Sequence, residues 1–273
     1  MIDTDARPIR PEDQAEVRDF LDQRPYENVY LEWLLTQRRS TRERFFCYRD
    51  SQRIVRGVAF YGRQIALAAS SRDAIAAFAE LARDFSGERM IVGPRDVAHD
   101  YWQHVQSWHR APRLERDRQP LFVLETPPRG IRSRVIIRPA RLSESSEIAR
   151  NSAAMIEQEL GYDPRRAAGD FFENVEQMIE QGMWWVASRD GKLCFFCHIG
   201  PHSSRTVQLQ GVWTPPNMRG RGLATHALTQ ICQELLKIYP SVSLYVNDFN
   251  ESAIRLYRKV GFTQASELAT YLF

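Results

Sequence analysis

Val207-Gln208-Leu209-Gln210-Gly211-Val212-Trp213, and after it Arg219-Gly220-Arg221-Gly222-Leu223-Ala224, is the stretch on which the fold turns. Residues 205–213 alternate as a half-buried strand does, with Val207, Leu209, Gly211 and Trp213 on one face and Gln208 and Gln210 on the other. From Gly222 the period becomes helical: Leu223, Ala227, Leu228, Ile231 and Leu235 form one stripe of residues 222–238. A strand that feeds a glycine-bearing turn into a helix leaves the first-turn N–H groups without partners, at the positive end of the helix dipole. Such a point attracts a phosphate. Gly220 and Gly222 let the backbone approach one without Cβ obstruction, and Arg219 and Arg221 add charge-assisted contacts. The plainer reading is a strand–helix turn edged by solvated arginines.

Toward the carboxy terminus the pattern predicts a strand over 241–246, a helix over 250–260, and closing strands near 262–265 and 267–273. That helix opens on Asn250 and carries Ala253, Leu256 and Tyr257 before Gly261-Phe262. Tyr257 brings an ionisable hydroxyl two turns into the helix; alternatively it packs beside Leu256 and Phe262.

The R-x-x-G-x-A turn at 219–224 and the N-x-x-A-x-x-L-Y-x-x-x-G-F run at 250–262 together resemble the GNAT superfamily of acyl-CoA-dependent N-acyltransferases. The resemblance implies that acetyl-CoA is the cofactor and an amine the acceptor, meeting in a ternary complex. Backbone amides of Arg219, Gly220, Arg221, Gly222, Leu223 and Ala224 would hold the coenzyme A pyrophosphate. Main-chain groups of Val212, Trp213 and Thr214 would pair with the pantetheine arm, where the strand splays from its neighbour at 241–246. Asn250 would lie close to the arm, and Tyr257 would protonate the departing thiolate as a general acid. A tyrosine pKa near 10 suits that role. Family members often carry a glutamate base on the strand before the turn. Gln208 and Gln210 stand there instead, and neither is a base. A water oriented by Gln208 or Gln210, Glu157, Glu159 and His198 remain as candidates. Residues 155–164, with Glu157, Glu159 and Asp163, would wall the acceptor site and suit a cationic amine, either a small molecule or a protein amino group; the plainer reading is a solvated helix end stopped by Gly161 and Pro164.

The rest of the chain reads as two lobes joined near Thr126-Pro127-Pro128-Arg129-Gly130. The carboxy-terminal lobe, 134–273, is expected to be an α/β domain of GNAT-like fold with a mixed sheet: a strand over 134–139, helices over 142–158 and 166–180, then strands over 183–189 and 192–199. Asp190-Gly191 is a hairpin turn signal. The amino-terminal lobe, 1–126, is expected to be a degenerate GNAT-like copy. Both lobes open on a short proline-ended strand, Pro8-Ile9-Arg10-Pro11-Glu12-Asp13 and Ile136-Ile137-Arg138-Pro139-Ala140-Arg141. Helices are expected over 12–23, 27–38, 71–85 and 97–108, and strands over 44–49, 54–61, 64–69, 89–92 and 120–125. The junction Ala69-Ser70-Ser71-Arg72 has no glycine, so a phosphate grip is not expected in this lobe.

Composition narrows the classes. A 43% hydrophobic and 26% charged chain of 273 residues is globular. The net charge of +3, with acidic residues interspersed, argues against a nucleic-acid surface. No apolar run approaches the ~20 residues of a membrane span, and the acidic Met1–Asp5 is no secretory signal. Four cysteines make no disulfide scaffold. Cys194 and Cys197, three apart in a strand, are expected on opposite faces, and no metal site is expected. A cytoplasmic enzyme fits these bounds. The alternative is a non-catalytic acyl-CoA-binding or interaction module.

Overall fold

The structure is a computed structural model and describes residues 6–37, 44–85, 87–130, 135–167 and 170–273. Met1–Asp5 therefore lies outside the described residues, as does the residue 134 end of the strand expected over 134–139. The first lobe runs β1 (Ala6–Pro8), α1 (Gln14–Leu21), α2 (Pro25–Thr36), β2 (Phe45–Arg49), β3 (Val55–Phe60), β4 (Gln64–Ala69), α3 (Arg72–Leu81), β5 (Met90–Pro94), α4 (Arg95–Val105) and β6 (Leu114–Leu124). The second runs β7 (Ile136–Pro139), α5 (Ser145–Leu160), α6 (Pro164–Ala167), α7 (Phe171–Glu180), β8 (Trp184–Arg189), β9 (Lys192–His202), β10 (Val207–Trp213), α8 (Leu223–Leu235), β11 (Val242–Tyr245), α9 (Glu251–Val260) and β12 (Thr263–Leu272). Apart from the short α6, the second sequence of elements repeats the first. The chain is a structural tandem.

The repeat extends to side chains, with a different alignment from the one the opening strands suggest by eye. Arg7 forks onto Asp13 through two bonds of 2.7 Å, and the Arg10 N–H donates to the same carboxylate at 2.8 Å. Arg138 forks onto Glu144 at 2.7 and 2.8 Å, and the Arg141 N–H donates to it at 2.8 Å. Arg7 therefore matches Arg138, and Arg10 matches Arg141. A bidentate arginine clamp closes the first turn of each lobe.

The lobes share one sheet of order β1-β2-β3-β4-β5-β12-β6-β11-β10-β9-β8-β7. The last strands are exchanged: β6 pairs with β11 of the second lobe, while β12 pairs with β5 of the first. The two exchanged strands also pair with each other, from Thr263↔Val123 to Leu272↔Leu114. The two closing strands expected near 262–265 and 267–273 are one strand, irregular between Gln264 and Ser266. β6 begins at Leu114, six residues before the expected strand, because its charged first half, Leu114-Glu115-Arg116-Asp117-Arg118-Gln119, is paired along β12.

Helices cover both faces. In the first lobe α1 and α2 pack Val17, Leu21, Leu31 and Leu34 on one side, and α3 and α4 pack Phe78, Tyr101 and Trp102 on the other. In the second, α8 lays Leu223, Leu228, Ile231 and Leu235 against Val207, Leu209 and Leu244. Each such side chain contributes about 1.5–3 kcal/mol of burial. α5 and α7 cover the opposite face through Ile148, Ala149, Val175 and Ile179.

Two bulges correct the expected faces. β9 is irregular where it passes Ala187 and Ser188, so Cys194 and Cys197 pack in one cluster rather than on opposite faces. Both are buried free thiols, and Cys194 Sγ–H donates to Ala187 O at 3.3 Å. β10 is irregular between Gln210 and Trp213, where Gly211 has φ +60°. Beyond the bulge the alternation inverts. Trp213 joins the α5–α7 side, and Val212 joins the α8 side that holds Val207 and Leu209.

Candidate active site

β10 and β11 are parallel neighbours for only two pairs, Val207↔Val242 and Gln208↔Ser243. Beyond them the strands part, and the gap opens into a cleft of about 620 Å³. Val212, Trp213, Thr214, all of Arg219–Ala224, Asn250 and Tyr257 line this one cleft. The sequence-predicted cofactor residues and the predicted acid are thus gathered in one place.

The phosphate turn has the geometry that its glycines allow. Gly220 and Gly222 sit at φ +73° and +74°, and nothing lies within 4 Å of where a Cβ would stand on either. Gly222 is the N-cap of α8 and offers no side-chain cap. Among the described residues, the N–H groups of Gly220 through Thr225 donate to no backbone carbonyl; the first helical bond runs from His226 N to Gly222 O. The equivalent helix α3 is different, since Ser71 caps it by accepting from Ala74 N at 3.2 Å. Between β4 and β5 of the first lobe, Gly93 lies so close to β4 that a Cβ there would come within 2.9 Å of Leu67 O. One helix start has a side-chain cap on one of its donors, and the other has none and is left open to an anion.

The arginines of the turn behave unequally. Arg219 folds back, its Nε donating to Thr214 O at 3.0 Å and its guanidinium lying 4.4 Å from the Trp213 ring centre. Arg221 is exposed, near Met218 Sδ at 4.0 Å. Asn250 is the N-cap of α9, its Oδ1 accepting from Ala253 N at 3.2 Å. Gly261, at φ +116°, stops that helix.

Tyr257 is buried between Phe122 and Phe262, each ring centre 6.0 Å away. Its packing and its place on the cleft wall hold together. Burial raises its pKa well above the ordinary value, and the negative charge of Glu159 raises it further. The hydroxyl stays protonated at neutral pH, as a proton donor must.

The base candidates are scattered. Gln208 is buried, and its Oε1 accepts from Gln210 Nε2 at 3.0 Å. Gln210 Oε1 in turn contacts His198 Nε2 at 3.3 Å. That bond places the ring proton on Nε2, which leaves buried Nδ1 without a partner among the described residues. Desolvation lowers the His198 pKa to about 4, so the ring is neutral. Glu157 is exposed and is not part of the cleft wall, whereas Glu159 lines it. Glu159 remains open to solvent on the cleft side, yet its neighbours crowd it enough to raise its carboxyl pKa, with Arg116 opposing.

Arg116, Asn247 and Phe249 also line the cleft and carry no sequence motif. Gln119, beside them on β6, fixes Asn247 through a 3.0 Å bond while accepting from Thr270 at 2.6 Å. Only the strand exchange brings β6 here.

Known proteins match this picture. Residues 151–262 match the acetyltransferase (GNAT) family, and residues 44–148 match a domain of unknown function (DUF4081). A mycothiol acetyltransferase of Acidimicrobium ferrooxidans is 34% identical over 92 residues, a span of 32% of this chain and 30% of that relative. A solved Drosophila protein superposes with a TM-score of 0.70 at 12% identity, covering 99% of both chains. A GNAT-family acetyltransferase from Colwellia psychrerythraea gives a TM-score of 0.62 at 13% identity, covering 98% of this chain and 99% of that one. Residues 151–262 are thus similar to the acetyltransferase (GNAT) family, and the whole chain has the fold of tandem GNAT structures. Among the described residues no helix is long and apolar enough to cross a membrane.

Proposed function

We propose that this chain is an N-acetyltransferase that moves an acetyl group from acetyl-CoA to a primary amine by direct attack in a ternary complex. The observation that carries the reading is the open start of α8, with six free N–H groups at one end of the cleft and Tyr257 on its wall. These residues fit the coenzyme: the amides of 220–225 and the α8 dipole match a pyrophosphate, and the parted β10 leaves main-chain groups for the amides of an extended arm. A relative named mycothiol acetyltransferase supports acyl transfer as the chemistry.

Bound acetyl-CoA supplies a thioester carbonyl, at which the C–N bond forms as the C–S bond breaks. Main-chain amides of the parted β10 would polarise the carbonyl oxygen. Tyr257 would give its proton to the departing sulfur. Glu159, the base candidate that lines the cleft, takes the proton from the amine, and its raised pKa suits it to that exchange. The first lobe keeps no phosphate grip and serves the site through β6.

Calorimetric titration with acetyl-CoA tests the reading, with Gly222→Glu as the control. Micromolar binding that the variant loses, followed by amine-dependent thiol release, supports it. Binding without thiol release from any amine favours a non-catalytic acyl-CoA module. No binding at millimolar acetyl-CoA removes the coenzyme assignment.

A further inference from the structure

Arg116 is a buried charge held in no direct ion pair, with the carboxylates of Glu159 and Asp248 acting on it only from beyond contact distance. The residue is only 9% exposed, and among the described residues it forms no salt bridge. Arg49, at 13% side-chain exposure, pairs with both Asp13 and Glu16. A guanidinium so deep in a protein is ordinarily paired, because taking it out of water is costly. Here Nη2 donates to the backbone oxygen of Glu159 at 2.6 Å, the Phe249 ring covers one face at 4.7 Å, and Nε is buried with no acceptor among the described residues. Its neighbour Arg113 donates to Leu160 O at 3.1 Å, so the two arginines clamp the last carbonyls of α5. Clamping a helix end explains one bond from Arg116. It does not explain a full charge lining the cleft.

Glu159 stands on the same wall, open to the cleft and likewise in no salt bridge among the described residues. Arg116, Glu159 and Tyr257 line the same cleft, and the Glu159 charge acts on both of the others. Phe249, 66% exposed beside them, is an apolar platform at the mouth. An unpaired cation next to an unpaired anion complements a molecule that carries both charges.

Resting on the acetyltransferase reading above, we propose that Arg116 receives a carboxylate on the acceptor, so that the acceptor is an amino acid or another amine bearing a carboxylate near its amino group. Arg116 is a specificity residue supplied by the first lobe, and Glu159 faces the amino group.

The test measures thiol release from acetyl-CoA with matched pairs of amino acids and their carboxamides. It uses the full chain, Arg116→Gln and Arg116→Lys, with acetyl-CoA binding and thermal melting followed on the same preparations. The acid form is expected to exceed its amide by about 10- to 100-fold in kcat/KM, the scale of a hydrogen bond to a charged group. Arg116→Gln should bring that ratio near one, and Arg116→Lys should keep part of it. Equal use of acid and amide by the full chain overturns the proposal and leaves the acetyltransferase reading standing, as does failure of every carboxylated amine while acetyl-CoA binds. A preference for succinyl-CoA over acetyl-CoA that Arg116→Gln removes assigns the carboxylate to the acyl chain and overturns the acceptor claim. A lower melting temperature with an unchanged ratio reduces Arg116 to a helix clamp. Failure of the full chain to bind acetyl-CoA overturns both readings together.

Discussion

Single atoms decide much of the chemistry available to this chain. Tyr257 has a hydroxyl with no hydrogen-bond partner among the described residues, set between two phenylalanines on the cleft wall. Removing only that oxygen should leave the packing intact. Tyr257→Phe is expected to bind acetyl-CoA as the parent does while turnover falls by roughly 10²–10⁴-fold, measured by thiol release. Gly222 is the opposite case, since any side chain there meets a left-handed φ of +74° and projects beside the anion site. Gly222→Glu adds a carboxylate as well, and calorimetry should show no acetyl-CoA binding. His198 gives a pH signature. Its folded pKa of about 4 lies below the ordinary 6.5, so the folded chain resists the protonation that the unfolded chain accepts. The stability from its neutral burial is complete above pH 6.5 and is lost as pH falls toward 4. Urea midpoints at pH 7 and pH 5 should therefore converge in His198→Gln relative to the parent.

Elements act through where they stop and bend. Two helices of the same kind begin after the fourth and tenth strands, and a single serine separates their capacities. Ser71 caps one donor at the start of α3, whereas Gly222 offers α8 no side-chain cap. The bulge in β10 is the second device. It turns Trp213 toward the α5–α7 side in the part of β10 that has already left β11, and it depends on Gly211, where a Cβ would stand 2.8 Å from His198 Nδ1 at a φ of +60°. Gly211→Ala is expected to cost about 1–3 kcal/mol by strain alone. Thermal melting should register that loss, and acetyl-CoA affinity should fall with it because the bulge shapes the parted strand.

At the scale of the molecule the exchange of β6 and β12 makes the lobes interdependent. β12 lies between β5 and β6, so neither half closes its own sheet. Fragments 1–128 and 129–273 made separately should show no cooperative melting by circular dichroism, and should recover it when refolded together. Independent cooperative melting of both would show that the exchanged pairing is dispensable. The exchange also carries Arg116 into the cleft of the other lobe and sets Gln119 behind its wall residue Asn247, which gives the first lobe a part in the site.

What the sequence determined by itself is local. Periodicity placed the helices and most strands, because one face of each must be apolar wherever it packs. Asn250 and Gly261 marked the ends of α9, and Arg219–Ala224 marked the open turn, because caps and glycine turns satisfy their backbone groups within a few residues. The tertiary structure decided the rest. Arg116 lies in a charged run that reads as a loop, and it became a strand in the cleft only through pairing with residues more than 150 positions away. Gly211 left the alternation countable in sequence, yet the partner strand turned it into a bulge that exchanged the faces of Val212 and Trp213. Among Gln208, Gln210, His198, Glu157 and Glu159, only the fold distinguished which side chain meets the cleft, since proximity in space between distant segments is not written in the spacing of either one.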